Sequence, residues 1–364
     1  MSRLMRWLHA LAGFAGGLLA AAPAKAVDLP PDSAEAMFHV YDGGGVKATG
    51  PALLVRKSIA DKVSLSGQYY VDAVSNASID VVTTASPYKE RRNEWGVGAD
   101  YTYRDTLISL AASSSKEPDY TANSVSLDVS QEVFGGMSTV SLGFSRGSDK
   151  VGRYDLGSFD KAMHWKYRLG LTQILTPRWL ASANLEAVAD SGYLGSPYRV
   201  ARVFGAAIPE RVPRTRSSRA IKLRVLGEVA PGTAVRAEYR YFWDNWAIKA
   251  HTLEFGGSRY FGPLWLADAF VRYHAQGSAL FYSDNAPGET TYITRNRQLS
   301  DFDNAGAGAK VSYTWKQVPG QYEIKLNGVA EVLRFKFNEF TDIRSGQLYS
   351  HDAYLLQLFV SATY

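Results

Sequence analysis

The strongest constraint on this chain sits at its carboxy-terminal end. Residues Ala353 to Tyr364 read Ala-Tyr-Leu-Leu-Gln-Leu-Phe-Val-Ser-Ala-Thr-Tyr. Tyr354, Leu356, Leu358, Val360, Ala362 and Tyr364 alternate along this stretch, and all are apolar or aromatic. Between them stand Ala353, Gln357, Ser361 and Thr363, with Leu355 and Phe359. Side chains alternate between the two faces of a strand, so one face of this segment is apolar throughout. As an exposed edge, such a strand would invite pairing with other chains, and closing the sheet into a barrel removes the edge. The segment therefore predicts the closing strand of a barrel, with Leu358, Val360, Ala362 and Tyr364 as its assembly signal.

The amino-terminal end opens with a basic start, Met-Ser-Arg-Leu-Met-Arg-Trp, followed by an apolar run and then Ala24-Lys25-Ala26. That order predicts a secretory signal peptide over residues 1–26, cut after Ala26. Its removal takes the formal net charge from +5 to about +2, so the charge gives no reason to invoke nucleic acid. The chain has no Cys, which excludes disulfides, thiolate metal sites, covalent haem and a lipid-anchored cysteine. No later run is long and apolar enough for a spanning helix. An exported chain with 46% hydrophobic and 13% aromatic residues and no such helix suits a membrane barrel; a large periplasmic all-β protein is the alternative.

Strand-like stretches recur about every 20 residues, each near the 9–11 residues that a tilted spanning strand needs. They fall at residues 35–41, 46–57, 63–73, 95–104, 107–114, 125–134, 139–146, 162–175, 179–189, 220–229, 234–244, 250–261, 265–276, 305–316, 321–337 and 353–364. Residues 95–104 alternate most cleanly, with Trp95, Val97, Ala99, Tyr101 and Tyr103 against Gly96, Gly98, Asp100 and Thr102. Tight turns such as Thr176-Pro177-Arg178, Pro231-Gly232 and Gly262-Pro263 alternate with long or polar connections at residues 76–94, 116–122, 147–160, 191–219, 283–304 and 341–350. Short turns on one rim and long loops on the other mark an outer-membrane barrel. The expectation is an antiparallel up-and-down transmembrane β-barrel over residues 35–364, preceded by a short periplasmic tail at 27–34. It has sixteen strands, or fourteen if the first hairpin lies outside the wall. Trp95, Trp165, Trp179, Trp243, Trp265 and Trp315 fall near strand ends on the apolar face, as do Tyr101, Tyr103, Tyr241, Tyr313 and Tyr364. They are expected to form the interfacial girdles.

The polar faces carry the candidate chemistry. Lys166, Arg168, Lys222, Arg224, Arg236 and Arg240 should turn into the lumen as a basic wall, with Glu186, Glu228 and Glu238 among them. Asp72, Asp100, Asp128 and Glu132 should turn inward as an acidic wall. Facing walls of opposite sign would set a transverse field across a water-filled pore and choose between ions. The same charges could instead form a salt-bridged plug. The expected lumen is open or partly open, because sixteen strands enclose more space than side chains fill. Residues 76–94 hold Ile79, Val81 and Val82, which fits either a loop folded into the barrel or a strand extension above the membrane. Residues 191–219 carry Arg199, Arg202, Arg211, Arg214, Arg216 and Arg219, whose forked donors suit lipopolysaccharide phosphate or another anionic ligand.

An enzyme is not expected. His39, His164, His251, His274 and His351 lie in separate stretches without a paired metal-binding spacing. No catalytic residue, metal ligand or cofactor site is assigned.

Gln68 to Gly96 contains Asp72-Ala-Val-Ser-Asn and Ser86-Pro-Tyr-Lys-Glu-Arg-Arg-Asn-Glu-Trp. Together with Ser196-Pro197-Tyr198-Arg199 and Pro213-Arg214-Thr215-Arg216, it resembles the domain of unknown function 3570, a family of bacterial outer-membrane proteins. The resemblance implies a barrel and transfers no catalytic residue. It also implies service to an extracytosolic redox system, because genes of the family sit beside a periplasmic flavin transferase, a small lipoprotein and a thioredoxin-like protein. The leading expectation is a porin-like channel for small polar or ionic solutes. The alternative is a structural barrel that anchors or houses a redox lipoprotein or flavoprotein. Expected partners are outer-membrane lipid and lipopolysaccharide, the barrel-assembly machinery and a small lipoprotein.

Overall fold

A computed structural model describes residues 27–76, 78, 88–153 and 157–364. The expected signal peptide and most of the apolar loop at 77–87 lie outside the described residues. The strands are β1 (Ser33–Gly43), β2 (Val46–Ala60), β3 (Val63–Asn76), β4 (Tyr88–Tyr103), β5 (Thr106–Lys116), β6 (Tyr120–Val133), β7 (Ser138–Arg153), β8 (Ser158–Thr176) and β9 (Trp179–Gly192). A small hairpin of β10 (Val200–Val203) and β11 (Ala206–Pro209) interrupts the series. It resumes with β12 (Thr215–Ala230), β13 (Thr233–Asp244), β14 (Lys249–Phe261), β15 (Trp265–Gln276), β16 (Phe302–Val318), β17 (Tyr322–Asp342) and β18 (Gln347–Thr363).

All of these except β10 and β11 form one closed ring of sixteen strands, in which β18 pairs with both β17 and β1. The carboxy-terminal strand therefore closes the sheet, and Ser33 faces Thr363 across the seam. The first hairpin is part of the wall, so the fourteen-strand alternative falls. Following the paired register once around the wall returns to β1 about 16 residues along. With strands about 4.7 Å apart and a rise of about 3.3 Å per residue, that stagger gives a tilt of about 35° and a backbone radius of about 15 Å.

Local chemistry explains the departures from regularity. β2 pairs with β3 at Thr49 and again from Ala52, skipping Gly50 and Pro51. Proline has no N–H to donate, and a Cβ on Gly50 would run into the Val71 carbonyl. Tight turns lie on one rim, as expected. On the other rim the strands outrun their sequence bounds: β4 already starts at Tyr88, and β5 and β6 are separated only by residues 117–119. Several connections expected to be loops are thus the tops of hairpins standing above the membrane, and among the described residues the long connections left are residues 193–214 and 277–301.

One face of the wall is apolar. Leu223 and Val225 on β12, Leu169 and Leu171 on β8, and Leu356, Leu358 and Val360 on β18 are all exposed on it. A closed wall must put that face outside, against lipid. The aromatics gather at its two edges. Trp265 packs on Tyr313 at 4.6 Å near the short-turn rim, and Tyr241 stacks on Trp243 at 5.3 Å near the other. Trp179 lies over Gly227, its cross-strand partner, where a Cβ would enter the indole ring. The tail is tied down at its end: the Tyr364 amide donates to the Asp32 carbonyl, and the Ser58 amide donates to the Asp32 carboxylate at 2.6 Å. The Lys57 ammonium beside it, together with that amide, holds the Asp32 carboxyl at about 2.

Candidate functional site

The inner face is a lumen lined by charge, and small residues decide how that charge is arranged. Strands two apart in the sheet are about 9.5 Å apart, so a side chain bridges them only across a small residue. Arg168 on β8 crosses Gly143 on β7 and meets the Asp128 carboxylate on β6 at 2.6 and 2.8 Å. A Cβ on Gly143 would lie 2.7 Å from the Arg168 Nε. Arg236 on β13 crosses Gly256 on β14 and donates to Asp268 on β15, at 3.0 Å through Nη2, with Glu254 at 3.6 Å. Arg240 reaches from β13 past β12 to Glu186 on β9 at 3.6 Å. Arg56 on β2 passes β3 to Asp100 on β4. Nearer neighbours complete the pattern, with Lys166 to Glu186 at 2.5 Å and Lys222 to Glu238 at 2.8 Å.

The two facing walls of single sign are not formed. The expected basic residues Lys166, Arg168, Lys222, Arg236 and Arg240 each pair with a carboxylate on a nearby strand, and Arg224 stands opposite Glu238 in the register. On the expected acidic side, Asp128 is the partner of Arg168 and Asp100 that of Arg56. Asp72 is taken by His39 at 2.7 Å, with the Tyr70 hydroxyl on the same His39 nitrogen at 2.9 Å. Glu132 forms no ion pair among the described residues. Glu228 sits at the rim and accepts from the Gly232 amide at 3.2 Å. The physical reason is desolvation: charge inside a wall is stable only when partnered, and glycines let partners lie flat across intervening strands. The Arg168 and Asp128 side chains are each 43% exposed, and Lys166 is 39% exposed.

Histidine placement was not legible in the sequence. His164 sits between two carboxylates, with Nδ1 2.6 Å from Asp190 and Nε2 2.9 Å from Asp149. Both ring nitrogens donate there only as imidazolium. His274 shares its strand face with Asp268, but its Nδ1 contact is the Thr252 hydroxyl at 2.9 Å. His251 points outward to the Tyr239 hydroxyl at 2.8 Å.

A cap of loops stands over the long-loop mouth. Trp246 and Ile248, between β13 and β14, pack with Ala279 and Leu299 of the 277–301 loop and with Leu194 and Val212 of the 193–214 loop. The Trp246 indole donates to the Thr215 carbonyl at 3.0 Å and lies 4.7 Å under the Arg216 guanidinium, whose Nε donates to Asp244 at 2.6 Å. Ala201 and Val203 of the small hairpin pack on Ala286 and Ile293. Gln276, at the inward top of β15, donates to the Gln298 and Ser300 carbonyls, and Arg297 lies over Tyr349 of β18. The 277–301 loop therefore leans inward across the mouth. The Ser-Pro-Tyr-Arg and Pro-Arg-Thr-Arg segments are staples of this cap: Tyr198 donates to Asp119, Arg199 faces Glu210, and Arg216 holds Asp244. The hairpin itself was missed, although Phe204-Gly205 adopts φ of 48° and 82°, which favours a two-residue turn.

Solved structures share this architecture at low identity, so the likeness concerns the fold. A bacterial polysaccharide outer-membrane secretin aligns with TM-score 0.53 and 9% identity over 91% of this chain and 97% of its own. A FadL homologue of Pseudomonas aeruginosa gives TM-score 0.41 and 13% identity over 92% and 90%. The siderophore receptor PirA of Pseudomonas aeruginosa gives 0.45 and 10% over 93% and 81%. No curated protein matches the sequence. The family described as "Protein of unknown function (DUF3570)" matches residues 20–328, nearly the whole chain, and this outer-membrane β-barrel belongs to that family.

Proposed function

We propose that the barrel is a porin-like channel that passes small polar or ionic solutes through a hydrated lumen, with the cap narrowing its outer mouth. The carrying observation is one lumen pair that is paired yet wet: Arg168 and Asp128, each 43% exposed, lie along the wall. A ring of about 15 Å backbone radius, less about 6 Å of side chain, leaves an axial path that side chains alone do not fill. Mixed-sign pairs suit solutes that are hydrated and of either charge more than a strongly selective anion pore. On this reading the chain catalyses nothing and is exported by a cleaved signal. Amino-terminal sequencing of the mature protein should begin at Val27. Planar-bilayer conductance of the refolded protein tests the channel directly, and a folded but silent barrel would refute it.

A second reading has one observation behind it. Phe204 and Leu280, on the cap, are 79% and 83% exposed. Apolar side chains so displayed suit a scaffold that docks a surface lipoprotein of the redox kind. Stoichiometric co-purification of a small partner, lost in Phe204→Ser with Leu280→Ser, would favour the scaffold over the channel.

A further inference from the structure

The loop arginines do not form an open anion site. Arg199 faces Glu210, Arg202 donates to the Gly205 carbonyl, Arg211 to the Thr290 carbonyl, Arg214 to Asp160, and Arg216 to Asp244. Among the described residues each of these five has a partner, while Arg219, the sixth arginine of that segment, stands alone and exposed on β12 opposite Trp243. A cluster of basic residues displayed without acids lies instead on the outer surface of the β7–β8 hairpin.

On β7 the outward positions run Val140, Leu142 and Phe144, then Arg146, Ser148 and Lys150. On β8 they run Leu169, Tyr167, Trp165 and Met163, then Lys161. Arg146 pairs with Trp165 in the register, and Lys150 stands directly opposite Lys161. All three basic residues are exposed. Arg146 lies 4.9 Å over the Trp165 ring and Lys150 4.4 Å over Phe159. No ion pair joins any of the three to a carboxylate among the described residues. The neighbouring outward positions are Thr121 and Asn123 on β6 and Ala187, Ala189 and Ser191 on β9, none of them charged. The nearby Asp160 is held by Arg214 at 2.8 Å.

Like charges placed directly opposite on a sheet repel each other. Lys150 and Lys161 therefore form a costly arrangement unless an anion lies between or above them. Their height tells which anion. Trp165 and Phe144 mark the top of the apolar band, so Arg146 stands at the interface. Lys150 lies four residues farther along β7, about 13 Å along the strand and about 11 Å higher at the barrel's tilt. A lipid with one anionic group at the interface and another about 11 Å above it would meet both levels, with its acyl chains against Leu142, Phe144, Tyr167 and Leu169.

We propose that this face binds a phosphorylated glycolipid of the outer leaflet, with Arg146 on the phosphate at the interface and Lys150 and Lys161 sharing the outer one. Charge-assisted contacts to phosphate oxygens relieve the lysine pair, and the aromatic rings hold the cationic groups in place. The site is independent of solute passage, because every residue in it lies on the outer face of the wall.

The test uses the full barrel refolded in detergent and titrated with purified lipopolysaccharide. Each basic residue near an anionic surface supplies roughly a five-fold gain, so R146Q/K150Q/K161Q should bind about 100-fold more weakly. Dephosphorylated lipopolysaccharide should bind the native protein as weakly as the variant binds the phosphorylated form. Arg334→Gln, which removes a cation already paired with Asp352 at 2.9 Å, serves as the control and should leave binding intact. Heat-modifiable migration on gels confirms folding of each variant. Unchanged affinity in the folded triple variant, or equal affinity for the dephosphorylated lipid, would overturn the proposal. Displacement of the lipid by inorganic phosphate at matched phosphate concentration would show a free-phosphate site instead, and would overturn it too.

Discussion

If the barrel conducts as proposed, replacing Glu186 by glutamine should turn it toward anions by a calculable amount. Glu186 is the shared carboxylate of Lys166 at 2.5 Å and Arg240 at 3.6 Å. Its loss takes a partner from both cations and raises the net charge of the lumen wall by one. The charge would stand about 10 Å from the axis, given a backbone radius of about 15 Å and the reach of the side chain. In water, a unit charge at that distance acts on a passing ion with about 0.4 kcal/mol. It favours anions and disfavours cations, so their difference shifts by about 0.8 kcal/mol, about four-fold in permeability ratio. The shift should appear near 0.01 M salt, where screening extends about 30 Å, and vanish near 1 M, where it extends about 3 Å. The assay is the reversal potential across a planar bilayer under a salt gradient. Stability should barely change, because these side chains are partly exposed and such pairs contribute at most about 1 kcal/mol. A folded Glu186→Gln channel with an unchanged reversal potential at low salt would refute the placement of this charge beside the conduction path. Lys166→Gln should move the potential in the opposite direction.

Trp246→Ala removes the keystone of the cap, a 3%-exposed indole in edge contact with Phe281 at 5.1 Å. The cap should lose about 3–5 kcal/mol of packing while the barrel stays intact, giving faster proteolysis within 277–301 and larger conductance steps; unchanged cleavage would contradict the cap's role. Gly143→Val puts branched carbon where Arg168 crosses to Asp128, so the arginine must swing toward the axis; conductance should fall, and an unaltered value would mean the crossing does not shape the path. Asp32 gives a pH prediction: its folded pKa is about 2 against an ordinary 3.8, so its latch on Ser58 is complete above the ordinary value and is lost as pH falls through about 2. The Ser58 amide resonance should titrate with a midpoint near 2, and Asp32→Asn should abolish that titration; a midpoint near 4 would argue against the latch.

Strand positions were legible because lipid on one side and water on the other impose strict alternation, as at 95–104 and in the closing segment. Their upper ends were not, because above the membrane a hairpin no longer needs an apolar outer face; β4 begins at Tyr88 within a polar run that reads as loop. Which side chains share the polar face is read from the same alternation. Their partners are not, since Arg168 and Asp128 are separated by 40 positions and joined only because Gly143 lies between them. The arginines at 191–219 misled for a related reason. A cluster along the sequence looks like a shared anion site, but folding gives Arg199, Arg211 and Arg216 separate carboxylates. The cap is built from long-range contacts such as Ala201 on Ala286 and Trp246 on Leu299, which no local period announces.

The central claim is that water and small solutes pass through the ring of sixteen strands. Single-channel recording of the refolded mature protein in a planar bilayer tests it most directly. The account predicts stable open steps at both polarities, a weak ion preference and larger steps when the cap is loosened. Correctly folded barrels that stay silent, with or without the cap contacts, would contradict it.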